Sequence, residues 1–296
     1  MSAPLLMLSA SFLFATMGVC VKLASEHYPP GEIVFYRSLV GAVVIAGTAA
    51  VRGRPLRTAV PGMHFWRSAS GVASLCLWFY ALGGLPLATA VTLNYMSSVW
   101  MALFLLGGAI MVGSQRIDGR LVCTVLAGFA GVALVLRPTI DHEQLWHGLM
   151  GLMSGMLAAM AYLQVSSLGR AGEPEYRVVY YFSLGGVGAG AATMFWTGAT
   201  AHTLRGALLL LAIGLLALVA QMMMTRAYTI GRTLSNASLQ YMGIPFAFAY
   251  GFLLFGDPVT WMAVAGMVLI VAAGLAATLL RARQGPADST FQPGDS

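Results

Sequence analysis

The chain has 296 residues, of which 58% are hydrophobic and only 9% are charged, and its formal net charge is +6. About a quarter of the residues of a soluble domain are charged, so this composition excludes a soluble globular protein and indicates an integral membrane protein. The apolar segments are about 20 residues long, as a membrane-crossing helix requires, whereas a barrel strand needs about 10. We therefore predict an all-α integral membrane protein.

Ten apolar segments lie between charged residues or Gly/Pro breaks, and we predict one transmembrane helix for each of them. In chain order the predicted helices are residues 4–23, 31–51, 64–83, 87–112, 121–136, 145–168, 178–196, 204–227, 233–255 and 259–280. The first segment has neither a basic n-region before it nor a small-residue cleavage site after it, so we expect it to be retained as a helix. The polar residues 282–296 are expected to form a disordered cytoplasmic tail.

The distribution of lysine and arginine predicts the orientation, because these residues collect on the cytoplasmic side of membrane proteins. With the N-terminus inside, twelve of the sixteen basic residues fall on the inner side: Arg52, Arg54, Arg57, Arg67, Arg116, Arg120, Arg170, Arg177, Arg226, Arg232, Arg281 and Arg283. The outer side keeps Lys22, Arg37, Arg137 and Arg205. Both termini are therefore predicted to face the cytoplasm. The positive charge is a topology signal, and no nucleic-acid partner is expected.

A motif in the fourth predicted helix returns in the ninth. Asn94-Tyr95-Met96 is matched 146 residues later by Gln240-Tyr241-Met242. Two further pairs of segments match at spacings of 145 and 143 residues, namely 35–41 with 180–186 and 131–133 with 274–276. We interpret the three matches as an internal repeat of about half the chain.

The repeat predicts two units of five helices, residues 1–138 and 145–281. Because five is an odd number of crossings, the second unit would be inverted relative to the first, about a pseudo-two-fold axis in the membrane plane. Inverted repeats of this kind build many alternating-access transporters, with the substrate site near the midplane between the two units. The predicted fold is therefore ten transmembrane helices arranged as two inverted five-helix repeats.

A signature in the second unit adds a family resemblance. The ten-helix layout and the residues Pro245, Gly251, Leu254-Phe255-Gly256-Asp257-Pro258-Val259-Thr260, Gly266 and Gly274 resemble the EamA-type members of the drug/metabolite transporter superfamily. The resemblance covers residues 5–280 and implies an exporter or importer of small metabolites with a central cavity between the two units. Gln115 stands where the first-unit counterpart of Asp257 is expected, and Val99 is the counterpart of Pro245. The first unit is therefore expected to gate or bend differently.

Polar side chains inside the predicted helices are the candidates for the substrate site, because in hydrocarbon such groups tend to face the bundle interior or a water-filled path. The candidates are Asn94, Tyr95, Ser98, Gln164, Gln221, Gln240 and Tyr241. An amide beside a tyrosine offers donors, an acceptor and an aromatic face, which suits a small polar or zwitterionic ligand. The alternative interpretation is that these groups only hydrogen-bond neighbouring helices. Both interpretations are open from the sequence.

Pro245 is the candidate hinge, because a proline inside the ninth helix frees a backbone carbonyl and permits a kink beside the polar motif. A structural kink without a role in movement is the alternative.

Other polar residues receive surface interpretations. We expect Lys22 and Arg37 to snorkel towards the aqueous phase; the alternative for Arg37 is that it attracts an anionic substrate group. Trp78 and Tyr80 are expected to belong to an interfacial aromatic belt, with a place at the substrate site as the alternative. All Asp and Glu residues are placed at the two surfaces, with Glu32 on the outer one, so the sequence shows no carboxylate proton relay within the spans.

These observations favour a secondary transporter of small polar or zwitterionic metabolites, such as amino acids or related solutes, in the inner membrane of a bacterial cell. The resemblance favours export; import and a passive channel are the alternatives. A membrane enzyme is disfavoured, because the five histidines show no metal-ligand spacing and no phosphate-binding loop is present. We expect no catalytic residue, metal or cofactor. The expected partners are a small-molecule substrate and the lipid bilayer, with the fifth and tenth helices as the candidate contact of a homodimer.

Overall fold

A computed structural model of the protein describes residues 2–111, 142–231, 239–257 and 260–283, together with residue 236 and the isolated positions 120, 123, 126–128, 130–131 and 134. These described residues contain helices, turns and loops and no strand, which confirms the all-helical class. The helices are α1 (Ala3–Ala24), α2 (Pro30–Val51), α3 (Pro61–Gly84), α4 (Leu87–Tyr95), α5 (Ser97–Met111), α6 (His142–Arg170), α7 (Glu175–Thr197), α8 (Leu204–Ile230), α9 (Gly243–Tyr250) and α10 (Trp261–Arg283). A π turn, Gly251–Phe255, extends α9.

Six helical segments in the described part of the chain are long and apolar enough to cross a membrane. They are α1, α2, the span Leu87–Phe104 across α4 and α5, the part Gln144–Arg170 of α6, α7 and α8. Two shorter apolar segments, Gly243–Phe255 and Trp261–Ala273, follow. The protein is therefore a multi-pass membrane protein. Most of the fifth predicted helix, Gln115 and tail residues 284–296 lie outside the described residues, and the count of ten helices stays a prediction.

Prolines set the starts of the first helices. Pro4, Pro30 and Pro61 occupy the first turns of α1, α2 and α3. The missing N–H of a proline costs nothing there, because the first N–H groups of a helix have no intrahelical partner, and its fixed φ suits the helix. The predicted spans accordingly begin within a few residues of the observed helices.

The fourth predicted helix is broken at the repeated motif, where we predicted an unbroken span. α4 ends at Tyr95, Met96 forms a turn, and α5 begins at Ser97. In the ninth predicted helix a turn at Tyr241 and Met242 precedes α9. The backbone of α6 approaches the first break closely, because a Cβ on Gly155 would lie 2.7 Å from the Leu93 carbonyl oxygen. Both breaks therefore fall within the matched motifs.

Pro245 lies in the first turn of α9, two residues after Gly243, and its side chain is exposed. A proline at this position replaces no intrahelical hydrogen bond. The interruption of the ninth predicted helix lies at Tyr241 and Met242 instead, and a hinge role for Pro245 stays a prediction.

The helices pack in pairs that join the first part of the chain with the second. α1 packs on α8, α2 on α7, α3 on α6 and α4 on α9. The largest hydrophobic cluster lies between these pairs and includes Met17, Phe79 and Leu93, whose side chains are completely buried. Large apolar side chains such as Phe195 and Trp261 are exposed on the outside of the bundle, as expected for a surface in contact with lipid.

A central cavity as the candidate substrate site

A cavity of about 60 Å³ lies in the centre of the bundle. Its polar and aromatic lining consists of Phe14, Arg37, Arg67, Ser74, Trp78, Asn94, Tyr95, Tyr162, Phe182, Gln221 and Gln240. These residues come from α1 to α4, from α6 to α8 and from the segment before α9. The volume suffices for a few water molecules, whereas small-molecule sites occupy about 300–1,000 Å³. The cavity must therefore enlarge to hold a whole metabolite.

Four of the seven predicted site residues line this cavity. Asn94 and Tyr95 from the first motif meet Gln240 from the second motif there, and Gln221 joins them from α8. All four side chains are buried, each no more than 5% exposed. The structure thus brings the two copies of the repeated motif to one cavity, although they are 146 residues apart in sequence.

Two of these amides also connect helices. Asn94 Nδ2 donates to Ser154 Oγ on α6 at 3.0 Å. Gln240 Nε2 donates to Tyr162 Oη at 3.0 Å, and its Oε1 accepts from Tyr228 Oη at 3.3 Å. Gln221 differs, because its buried Nε2 has no hydrogen-bond partner among the described residues. Asn94 and Gln240 therefore border the cavity and also hydrogen-bond neighbouring helices, and their role in substrate binding stays a prediction.

The other three predicted residues do not border the cavity. Gln164 Oε1 accepts from Ser70 Oγ at 2.8 Å, which connects α6 with α3. Ser98 lies near Tyr241, so residues of α5 and of the segment before α9 are close together, but the buried Oη of Tyr241 has no hydrogen-bond partner among the described residues. The contact of Gln164 is of the helix-connecting kind, and a role for these three residues in substrate binding stays a prediction.

Two arginines that the sequence interpretation placed elsewhere line the cavity. Arg37 on α2 is 5% exposed and does not snorkel, and Arg67 on α3 is 2% exposed rather than part of a cytoplasmic surface. Their guanidinium carbons lie 5.1 Å and 4.3 Å from the centroid of the Phe182 ring, within cation–π distance. Nε of Arg37 and both Nε and Nη1 of Arg67 are buried without a partner in the described part of the chain.

Trp78 is also placed differently from its prediction. It is 7% exposed and lines the cavity, so it does not belong to an interfacial belt. Tyr80 is more exposed and stacks on His147, with ring centroids 4.4 Å apart. Trp78 and Tyr80 are two residues apart and so face different sides of α3.

One end of the bundle is held by an ion pair, which we call the Lys22–Asp257 pair. Lys22 Nζ lies 3.1 Å from Asp257 Oδ1, and the N–H of Leu87 donates to Asp257 Oδ2 at 2.9 Å. Lys22 Nζ also lies 4.7 Å from the Phe255 ring centroid. The prediction that Lys22 snorkels is wrong; it connects α1 with the π turn and with the start of α4.

The other end is held by a set of contacts that we call the Glu173 cluster. The buried Glu173 carboxylate accepts from Thr58 Oγ1 at 2.8 Å and from Arg177 Nη1 at 3.0 Å, and lies 3.1 Å from His64 Nε2. Burial raises the pKa of this carboxyl, but the hydrogen bonds from Thr58, Arg177 and His64 outweigh it and hold the pKa below its ordinary value. The cluster connects the α2–α3 loop and α3 with the α6–α7 loop.

Glu32 is buried, although the sequence interpretation placed it on the outer surface. It lies in the first turn of α2 and is 0% exposed. Its Oε2 accepts from the N–H of Thr200 at 3.2 Å, and its Oε1 lies 3.8 Å from His202 Nε2. A carboxylate in the first turn is favoured by the helix dipole. The interpretation missed this because the sequence does not reveal that the α7–α8 loop covers the side chain.

Known proteins resemble this chain over nearly its whole length. The sequence profile of the EamA-like transporter family matches residues 1–137. The pseudopaline exporter CntI of Pseudomonas aeruginosa strain UCBPP-PA14 is 34% identical over 286 residues, which are 96% of this chain and 98% of that protein. A riboflavin transporter of Rhizobium johnstonii is 29% identical over 225 residues, 74% of this chain and 71% of the relative.

A crystal structure with 19% sequence identity superposes with a TM-score of 0.67 and covers 94% of this chain and 97% of its own, which shows a shared fold. The identity to the exporter extends from one end of the chain to the other, and the family profile matches its first part. The chain therefore belongs to the EamA-like transporter family.

Proposed function

We propose that this protein exports small polar or zwitterionic metabolites, such as amino acids or related solutes, by alternating access around the central cavity. Membership of the family makes it a small-molecule transporter rather than an enzyme. The observation that carries the proposal is the buried cavity, whose polar lining comes from both parts of the chain: Asn94 and Tyr95 from the first, Gln221 and Gln240 from the second.

The packing of the helices supports two units that move relative to each other. In the predicted repeat, each of the first five helices corresponds to the helix five places later. Under this correspondence the contact between α1 and α8 is equivalent to the contact between α3 and α6, and the contact between α2 and α7 is equivalent to itself. The breaks at Met96 and at Tyr241 and Met242 also correspond. These relations support inverted repeats over residues 1–138 and 145–281. Helices broken beside a central site are a recurring feature of transporters built in this way.

Export is favoured over import because a relative named as an exporter is 34% identical over almost the whole chain. The relatives named as riboflavin transporters carry no direction in their name, and import is the alternative. The distribution of lysine and arginine supports the inner membrane, with both termini in the cytoplasm. A homodimer through the fifth and tenth predicted helices also remains part of the proposal.

The proposal is tested with purified protein in liposomes. Vesicles loaded with a mixture of unlabelled amino acids are diluted into the same mixture carrying a radioactive label. A carrier gives saturable uptake that is accelerated by the internal solutes. Uptake that rises linearly with concentration and is indifferent to the internal solutes indicates a channel, and no uptake above that of protein-free vesicles overturns the proposed substrate range. Efflux from whole cells expressing the protein then determines the direction.

A further inference from the structure

We infer that the central cavity binds a small organic anion and that Arg37 and Arg67 are its two cationic contacts. This inference rests on the proposed transport function and narrows its substrate class from polar or zwitterionic solutes to those that carry acidic groups. It starts from a physical conflict in the structure: two positive charges are buried together without an anion.

The conflict follows from the burial of the two guanidinium groups. Arg37 and Arg67 are both more than nine-tenths buried and both line the cavity. Both guanidinium carbons lie beside the same ring, that of Phe182, at 5.1 Å and 4.3 Å from its centroid, so their positive charges repel each other. The face of the Phe182 ring relieves part of this repulsion, but a ring carries no charge. Burying charges without a counter-charge is strongly unfavourable.

The described part of the chain supplies no counter-charge. No Asp or Glu is among the residues that line the cavity. The buried carboxylates of the described residues have other partners: Glu32 accepts from the Thr200 N–H, and Glu173 pairs with Arg177. The partly buried Asp257 pairs with Lys22. We therefore assign the missing negative charge to a molecule that enters the cavity.

The donor geometry selects acidic oxygens. A guanidinium presents a planar fork of N–H groups that matches a carboxylate or phosphate with two parallel hydrogen bonds. The buried nitrogens without a partner in the described part of the chain are Nε and Nη1 of Arg67 and Nε of Arg37. Two guanidinium groups beside one ring suit a ligand with two acidic groups, or with one acidic group held by both arginines.

The remaining lining fits the rest of such a molecule. Gln221 Nε2 is a buried donor without a partner among the described residues. Asn94 and Tyr95 also border the cavity, and Trp78 offers an apolar surface. An organic acid with a short polar body matches this combination of groups. The present volume of about 60 Å³ accepts an acidic group but not the whole molecule, so complete binding accompanies the opening of the bundle.

A negative substrate charge also provides a driving force for export. The cytoplasm is electrically negative, so an anion that leaves the cell moves down the electrical gradient. Export of this kind needs no proton-binding carboxylate in the cavity. A negatively charged substrate would thus account for both the positive charge of the cavity and the proposed outward direction of transport.

The test measures the melting temperature of the purified protein with matched pairs of small molecules at constant ionic strength. Succinate is compared with succinamide, and glutamate with glutamine; inorganic phosphate separates a phosphate site from a carboxylate site. A ligand that binds the native state raises the melting temperature by mass action. We expect the carboxylates to raise it by several degrees and the amides to leave it unchanged. Equal effects of acid and amide, or no effect of any of the anions, overturn the inference.

Variants assign the effect to the two arginines. Arg37→Met and Arg67→Met should abolish the anion effect and should melt, without ligand, at or above the wild-type temperature, because removing an unpaired buried charge relieves the conflict. Arg226→Met, an exposed residue of α8, should retain the full effect. Arg67→Lys keeps the positive charge but loses the planar guanidinium group, so it should weaken the anion effect. This variant replaces the Met variants in the test if they fail to fold. An unchanged anion effect in the Arg37 and Arg67 variants, or a clearly lower ligand-free melting temperature of all of them, overturns the assignment.

Liposome exchange separates this inference from the proposed function. If wild-type protein exchanges neutral amino acids and succinate equally well, and both Met variants continue to do so, the proposed transport function is supported and the anion site is excluded. If succinate stabilises the protein but neither succinate nor any amino acid is exchanged, the anion site is supported and the proposed transport function is overturned.

Discussion

Gly243, the residue after the second copy of the repeated motif, packs against the ring of Tyr95 in the first copy. A Cβ on Gly243 would lie 2.5 Å from Tyr95 Oη and 2.7 Å from Cε2 of the same ring. Tyr95 ends α4, and Gly243 begins α9. The contact therefore joins the two broken spans at their breaks.

Replacing Gly243 with alanine should disturb this contact. The added methyl group must displace the Tyr95 ring, which is itself packed beside the cavity, and overpacking of this kind costs about 1–3 kcal/mol. We expect a lower melting temperature together with reduced exchange in liposomes. Gly188→Ala in α7 is the matched control, because nothing lies within 4 Å of its added Cβ. An alanine at position 243 that melts and transports like the control would contradict the close packing.

Gln221 and Gln164 should respond differently to the same substitution. Gln221 Nε2 has no partner in the described part of the chain and lines the cavity, so Gln221→Met should leave the melting temperature nearly unchanged and raise the KM for exchange. Gln164 bonds to Ser70 between α6 and α3, so Gln164→Met should lower stability by about 1–3 kcal/mol and leave KM unchanged. Thermal denaturation and liposome kinetics of both variants check this prediction. The reverse pattern would assign binding to Gln164.

The Lys22–Asp257 pair should show coupling in a double-mutant cycle. The two side chains are 19% and 17% exposed, so solvent screens their attraction only in part. We expect Lys22→Met and Asp257→Asn to be non-additive, with a coupling of about 0.5–3 kcal/mol in the free energy of unfolding. Each substitution also affects a second contact, that of Lys22 Nζ with the Leu85 carbonyl or that of Asp257 Oδ2 with the Leu87 N–H, so each should lower the melting temperature. Additive effects would mean that the interaction between the two side chains does not contribute to the free energy of unfolding.

The Glu173 cluster should make stability depend on pH at the acidic side. The pKa of Glu173 is lower in the folded protein than its ordinary value. The stabilisation is therefore complete above the ordinary pKa of a glutamate and is lost as the pH falls through the lower, folded pKa. Melting temperatures measured from neutral to acidic pH should fall less steeply in Glu173→Gln than in wild type. Glu26→Gln, an exposed control, should keep the wild-type profile; an unchanged profile in Glu173→Gln would exclude the carboxyl as the cause.

The positions of most helices could be predicted because hydrocarbon imposes a minimum apolar length on every span. The breaks at Met96 and Met242 could not, since neither residue has a backbone preference that ends a helix. At the first break, Gly155 of α6 approaches the backbone closely. This contact forms only in the tertiary fold, so the local sequence does not reveal it.

The sequence predicted the uncharged polar residues of the candidate site, whereas its preferred interpretation placed the two arginines elsewhere. Asn94, Tyr95, Gln221 and Gln240 were found because a polar group in the middle of an apolar helix is costly in hydrocarbon and therefore tends to face the bundle interior. Arg37 was assigned to the aqueous surface because it lies within two turns of the start of its helix, within reach of a snorkelling side chain. Arg67 was assigned there because basic residues collect on the cytoplasmic side. The direction that a long side chain takes depends on the helices around it, and here both arginines turn towards Phe182.

The two ends of α3 carry the connections that hold the two ends of the bundle. His64 near its start belongs to the Glu173 cluster, and the chain just beyond its end, at Leu85 and Leu87, touches the Lys22–Asp257 pair. At 1.5 Å per residue, these contacts are about 30 Å apart, close to the thickness of the hydrocarbon core. Contacts between distant parts of the chain thus hold both ends of the bundle at once. If transport proceeds by alternating access, the contacts at each end must release in turn. Protonation of Glu173 below the ordinary pKa of a glutamate would weaken the cluster at its end, so strong acidification on that side should favour opening at that face.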